Sequence, residues 1–137
     1  MTDLFKNRGF VIKGILHLSP KETYALCQKG AILVDVRDPY LSNFKSFGVD
    51  KVLYLPAGNL EKEYKNLPHD GHLIFADSAG IHTKEAVIFL KDRGFMNIAN
   101  MAGGFIEWER DGLPVKTDTN ERLSGSCMCQ LKRWAKK

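Results

Sequence analysis

Short apolar runs alternate with amphipathic stretches along this chain. Phe10-Val11-Ile12 through Leu16 predicts a first short strand. Ser19-Pro20-Lys21-Glu22 predicts a helix start: Ser19 is the N-cap, Pro20 takes the first helical position, and Glu22 follows the cap at capping-box distance. That helix carries Tyr24, Ala25 and Leu26 and stops at Gly30. Ala31-Ile32-Leu33-Val34-Asp35-Val36 is apolar but for one residue, as expected of a strand covered on both faces. An irregular or helical piece over Pro39–Phe47 leads to a third strand, Lys51–Leu55, closed by Pro56. A helix from Gly58 or Asn59 through Leu67 and a turn at Pro68–Gly71 come next. His72–Ala76 is a fourth apolar strand. After a loop, a helix runs through Lys84, Ala86, Val87, Phe89 and Leu90 to Gly94. Asn97–Asn100 is the last predicted strand, and Gly103-Gly104 turns into a helix with Phe105 and Trp108, stopped at Gly112-Leu113-Pro114.

Strands of buried type alternating with helices predict a parallel sheet with helices on both faces. Ligands of such sheets sit at the carboxyl ends of the central strands. The length, 137 residues, suits one domain. Residues 1–115 are read as that domain, and 116–137 as a C-terminal extension with a linker-type Ser124-Gly125-Ser126.

Charge narrows the function. The net charge is +4, and residues 1–122 are balanced, so the excess lies on Lys132, Arg133, Lys136 and Lys137. A neutral body argues against nucleic-acid binding, which needs a basic face on the fold. The longest apolar run, Ala86–Leu90, is far short of the ~20 residues of a membrane span. Met1–Lys6 lacks the apolar stretch of a secretory signal, so a cytoplasmic location is expected.

Three cysteines do not make a disulfide framework in such a setting. Cys27 lies on the apolar side of the first helix and reads as a small hydrophobe. Cys127-Met128-Cys129 is different. The pair follows the Ser-Gly-Ser stretch and precedes Lys132 and Arg133, whose charge favours thiolate. A disulfide within Cys-x-Cys would be strained and readily exchanged. Two thiolates are too few for a closed structural zinc site, and neither metal nor cofactor is expected. Thirteen residues separate Pro114 from Cys127. Extended, they span up to ~45 Å at ~3.3–3.6 Å each, against a radius of gyration near ~14 Å for a domain of this size.

Four segments carry a family resemblance. They are Leu18-Ser19-Pro20 with Ala31–Arg37; the strand ending in Leu55-Pro56; the fourth strand with loop Asp77–His82 and its helix; and Gly94-Phe95 with Met101-Ala102-Gly103-Gly104-Phe105-Ile106-Glu107-Trp108. In order and spacing, over about residues 15–115, the chain resembles a single-domain rhodanese, of the sulfurtransferase family that also holds inactive and phosphatase-related relatives. The resemblance implies a rhodanese-like three-layer α/β/α fold with a central, mostly parallel five-stranded sheet. It implies an active-site loop at Asp77, Ser78, Ala79, Gly80, Ile81 and His82, where inward N–H groups would cradle an anion. It also implies that Asp35 and Arg37 are structural support.

The chain departs from the family where the chemistry sits. Asp77 stands in place of the nucleophilic cysteine, and His82 where an arginine often closes the loop. A carboxylate does not carry a sulfane sulfur as a thiolate does, so ordinary turnover through residue 77 is not expected. Asp77 reads either as a cap on loop N–H groups or as a charged part of a site whose thiol comes from elsewhere. An aspartyl phosphoryl-transfer site would need further acids for Mg²⁺, and Arg37 lies between Asp35 and Asp38. His82 is a candidate hydrogen-bond or proton donor; His17, His69 and His72 sit at strand or turn edges and suggest nothing specific.

Two functions remain. One is a sulfurtransferase in which Cys127 or Cys129 holds the persulfide beside the loop. The other is a non-catalytic rhodanese-fold binding or regulatory module. Expected partners are a small sulfur-containing anion and a thiol or protein sulfur acceptor, with no nucleic acid and no membrane, in a monomer or weak homodimer.

Overall fold

The computed structural model describes residues 5, 8–81 and 83–117. The chain opens with a hairpin, β1 (Phe10–Ile12) and β2 (Ile15–Leu18). Helix α1 (Pro20–Gln28) follows, then β3 (Ile32–Asp35), α2 (Pro39–Phe44), β4 (Lys45–Phe47) and β5 (Val52–Tyr54). A short α3 (Leu60–Glu63) is flanked by 3₁₀ turns at Ala57–Asn59 and Tyr64–Asn66. The remainder is β6 (Leu73–Ala76), α4 (Thr83–Lys91), β7 (Ile98–Met101), α5 (Gly104–Arg110) and β8 (Val115–Thr117).

The main sheet has the order β1-β2-β7-β6-β3-β5. Strands β2, β7, β6, β3 and β5 are parallel and β1 adds an antiparallel edge, so the sheet has six strands where five were expected. Lys13 and Gly14 carry φ of 53° and 80°, so the predicted first strand folds back as a tight hairpin. The segment read as irregular or helical over Pro39–Phe47 splits into α2 and β4. Strand β4 pairs antiparallel with β8 in a separate ribbon, with Lys45 opposite Thr117.

Each central strand sends alternate residues to opposite faces. Leu33, Ile74, Ala99 and Met101 meet Leu26, Phe105 and Trp108 of α1 and α5. Val34, Leu73, Phe75 and Ile98 meet Leu60, Ala86, Val87 and Leu90 of α3 and α4. This is the three-layer α/β/α arrangement, and each fully buried aliphatic or Phe side chain in it contributes roughly 1.5–3 kcal/mol. The α1 capping box forms as read: Ser19 Oγ accepts from Glu22 N at 3.1 Å, and Glu22 Oε1 accepts from Ser19 N at 2.9 Å. Trp108 is fully buried, and its Nε1–H donates to Pro114 O at 2.7 Å, which pins the turn from α5 into β8. Strand β8 crosses the boundary drawn after residue 115, and residues from 118 onward lie outside the described ones. Among the described residues, no helix is long and apolar enough to cross a membrane.

Candidate functional site

The loop from Asp77 leaves the carboxyl end of β6, near the middle of the sheet. Its first half is held by the first turn of α5: Phe105 N donates to Asp77 O at 2.7 Å and Ile106 N to Ser78 O at 2.9 Å. Glycine makes this approach available. A Cβ on Gly104, whose φ is +61°, would lie 2.6 Å from Ala79 N and from Asp77 O. One on Gly80, with φ +80°, would lie 2.7 Å from Gly103 N. The loop backbone therefore rests directly on the Gly103-Gly104 turn.

Asp77 is buried, and its Oδ1 accepts the N–H of Gly80. The carboxylate thus occupies an N–H that an anion in the loop would otherwise receive. Ser78 is half-buried, Ala79 and Ile81 are exposed, and Gly80 is buried. His82 lies outside the described residues, as do Cys127 and Cys129.

Asp35 and Arg37 sit at the carboxyl end of the neighbouring strand β3, both buried. Arg37 Nη2 donates to Asp35 Oδ2 at 2.8 Å and Nε to Oδ1 at 3.0 Å. Nη2 also donates to the Lys45 carbonyl at 2.7 Å. The guanidinium carbon lies 4.2 Å from the centroid of the Phe105 ring and 5.3 Å from that of Phe47. The cation is therefore engaged by a carboxylate, a carbonyl and two rings. Contacts run from Thr117, paired with Lys45, through Arg37 to Phe105 and so to the Asp77 carbonyl.

A cavity of about 550 Å³ opens between α2, β4 and β5, with Ser46, Tyr54, Glu63 and Lys116 among its lining residues. Burial pushes the Tyr54 phenol up, and the nearby Ser46 hydroxyl eases that rise. Cys27 packs partly buried against the α1/α5 side of the core, and burial pushes its thiol up to about 11, the opposite of a reactive thiolate. Among the described residues, no three His, Cys, Asp or Glu side chains gather to hold a metal.

The polar chain behind the loop was not legible as a site. His17, read as an edge residue without specific chemistry, is buried in β2. Its Nδ1 lies 2.9 Å from Asn100 Nδ2 of β7, and Asn100 Oδ1 accepts from the Thr83 hydroxyl of α4. The one available signal was a polar residue at a core-facing position in each of Ile15–Leu18 and Ile98–Met101.

These features coincide with known proteins. The rhodanese-like domain matches residues 19–111. The chain belongs to the rhodanese-like family. The thiosulfate sulfurtransferase GlpE of Haemophilus influenzae is 28% identical over 102 residues, covering 73% of this chain and 93% of that one. The crystal structure of a rhodanese-related protein from Thermoplasma volcanium superposes with a TM-score of 0.67 at 27% identity, over 73% of this chain and 96% of its own. The polysulfide-sulfur transferase homodimer of Wolinella succinogenes gives 0.64 at 28% identity, over 74% and 78%.

Proposed function

We propose that this rhodanese-family chain transfers sulfane sulfur with a thiol brought from its C-terminal segment to the Asp77–His82 loop. One observation carries the reading. The last described strand ends at Thr117, opposite Lys45, whose carbonyl is bound by Arg37 beside the loop. Ten residues separate Thr117 from Cys127, a reach of ~33–36 Å when extended. A thiol on that segment therefore starts from a strand that contacts link to the loop through Lys45, Arg37 and Phe105.

In the reaction, the thiolate of Cys127 or Cys129 attacks the outer sulfur of thiosulfate. The S–S bond breaks, sulfite leaves with the bonding pair, and a persulfide remains. An acceptor thiolate or cyanide then takes the outer sulfur and releases the thiolate, with no net change of redox state in the protein. Loop N–H groups not engaged by Asp77 would receive the anionic donor.

A second reading, a non-catalytic binding or regulatory module, is favoured by the Asp77 carboxylate accepting the Gly80 N–H inside the loop. The thiosulfate:cyanide assay separates the two. The reduced wild type is expected to turn over, and a Cys127→Ser/Cys129→Ser double variant to fall to background. Equal rates in both would overturn the thiol reading.

A further inference from the structure

The loop is anchored differently at its two ends. Its start is fixed by backbone bonds to α5. Its far end runs into Thr83, the first residue of α4, whose hydroxyl bonds to the Asn100–His17 chain on the sheet. All three side chains are buried, at 0% for Thr83, 1% for Asn100 and 5% for His17. They come from three elements, and His17 and Asn100 are register partners across the β2–β7 pairing.

Three polar groups on an otherwise apolar face are costly unless each is paired. Here the donor direction is set. The Thr83 hydroxyl donates to Asn100 Oδ1, and Asn100 Nδ2 donates to His17 Nδ1. His17 must accept at Nδ1, so the ring is neutral with its proton on Nε2. The groups facing the ring fit a neutral imidazole. Strand β1 presents Phe10, stacked at 5.5 Å, β7 presents the Asn100 amide, and α4 contributes the Lys84 ammonium. Burial, with the Lys84 charge behind it, holds the imidazole below its ordinary value of 6.5.

We propose that His17, Asn100 and Thr83 are positioning residues that form a proton-read anchor for the Asp77–Thr83 loop. The proposal rests on the reading of that loop as the site. A proton taken from solvent onto Nδ1 turns that atom from acceptor to donor. It must then face Asn100 Oδ1, so the amide turns over. Nδ2 now faces Thr83 Oγ1, which becomes the acceptor, and the Thr83 O–H is released from the sheet. One proton reverses every bond in the chain and changes what holds the loop's far end. Neutral His17 holds Thr83 as a donor; protonated His17 holds it as an acceptor and leaves its O–H to bond within the loop.

The test uses the full chain, labelled with ¹⁵N and needing no sulfur transfer. Two-bond imidazole spectra are expected to show His17 with Nε2–H and an unprotonated Nδ1 at neutral pH. As pH falls, the amide signals of Gly80 and Ile81 are expected to shift with the His17 midpoint. Thr83→Val should uncouple those amides from His17, and Thr83→Ser should restore the coupling. Loop amides that ignore the His17 midpoint in the wild type would overturn the proposal, as would coupling that persists in Thr83→Val. The wild-type titration decides the matter even if the valine variant does not fold. The Cys127→Ser/Cys129→Ser variant is expected to titrate identically. A coupled titration in a protein without sulfurtransferase activity would sink the proposed function and leave the anchor standing.

Discussion

Two buried polar clusters flank the Asp77 loop, and they are built on opposite principles. On the β3 side, Asp35 and Arg37 form a charged pair with the Arg37 Nε and Nη2 donors engaged and two aromatic rings packed on the guanidinium. On the β2 and β7 side, His17, Asn100 and Thr83 form a neutral chain with a direction. A bidentate ion pair has one arrangement, and losing either partner leaves an uncompensated charge. A neutral chain through an amide has two arrangements, because an amide can turn over and a histidine can change tautomer. The first cluster suits rigid support. The second suits adjustment.

The comparison breaks most visibly in stability. Arg37→Leu strands the Asp35 carboxylate and is expected to cost ~3–5 kcal/mol. Thr83→Val removes a hydroxyl of nearly the same shape and leaves one acceptor short, at ~1–3 kcal/mol. Urea unfolding of both variants checks the ranking; equal costs would mean the two clusters are not different in kind.

A smaller effect sharpens the same contrast. His17 has a folded value below 6.5, so near and below that pH the unfolded chain binds more protons than the folded one. Stability is therefore expected to decline as pH falls through 6.5, and His17→Gln should flatten that decline. The decline is separable from that of Glu22, whose carboxyl is held below its ordinary 4.5 chiefly by the Ser19 N–H, with the Gly9 N–H adding to it. The Glu22 contribution is present above 4.5 and lost only below it. A wild-type profile that is flat between pH 7 and the Glu22 range would remove His17 as a titrating group.

Much of the fold could be read from the residues because its signals are local. Ser19-Pro20-Lys21-Glu22 is a capping box in sequence and in space. The runs at Ala31–Val36 and His72–Ala76 are apolar because both faces of β3 and β6 are covered. What escaped is short or non-local. Strands β4 and β8 have three residues each and are defined by one another, with Lys45 and Thr117 paired across 72 positions of sequence. The hairpin at Lys13-Gly14 lacks the Asn-Gly or Asp-Gly signature. The loop itself was legible as Asp77–His82, because the Gly103-Gly104 pair and the apolar β6 frame it. The His17 chain was not, because a histidine between Leu16 and Leu18 reveals nothing of Asn100 and Thr83, which only the sheet register and α4 bring to it.

The most direct test of the sulfur-transfer account is a mass measurement on the reduced wild-type protein after brief thiosulfate treatment and tryptic digestion. The account predicts one added sulfur atom on the peptide Leu123–Lys132, which carries Cys127 and Cys129. No added sulfur, or sulfur found only on the Cys27 peptide, would contradict it.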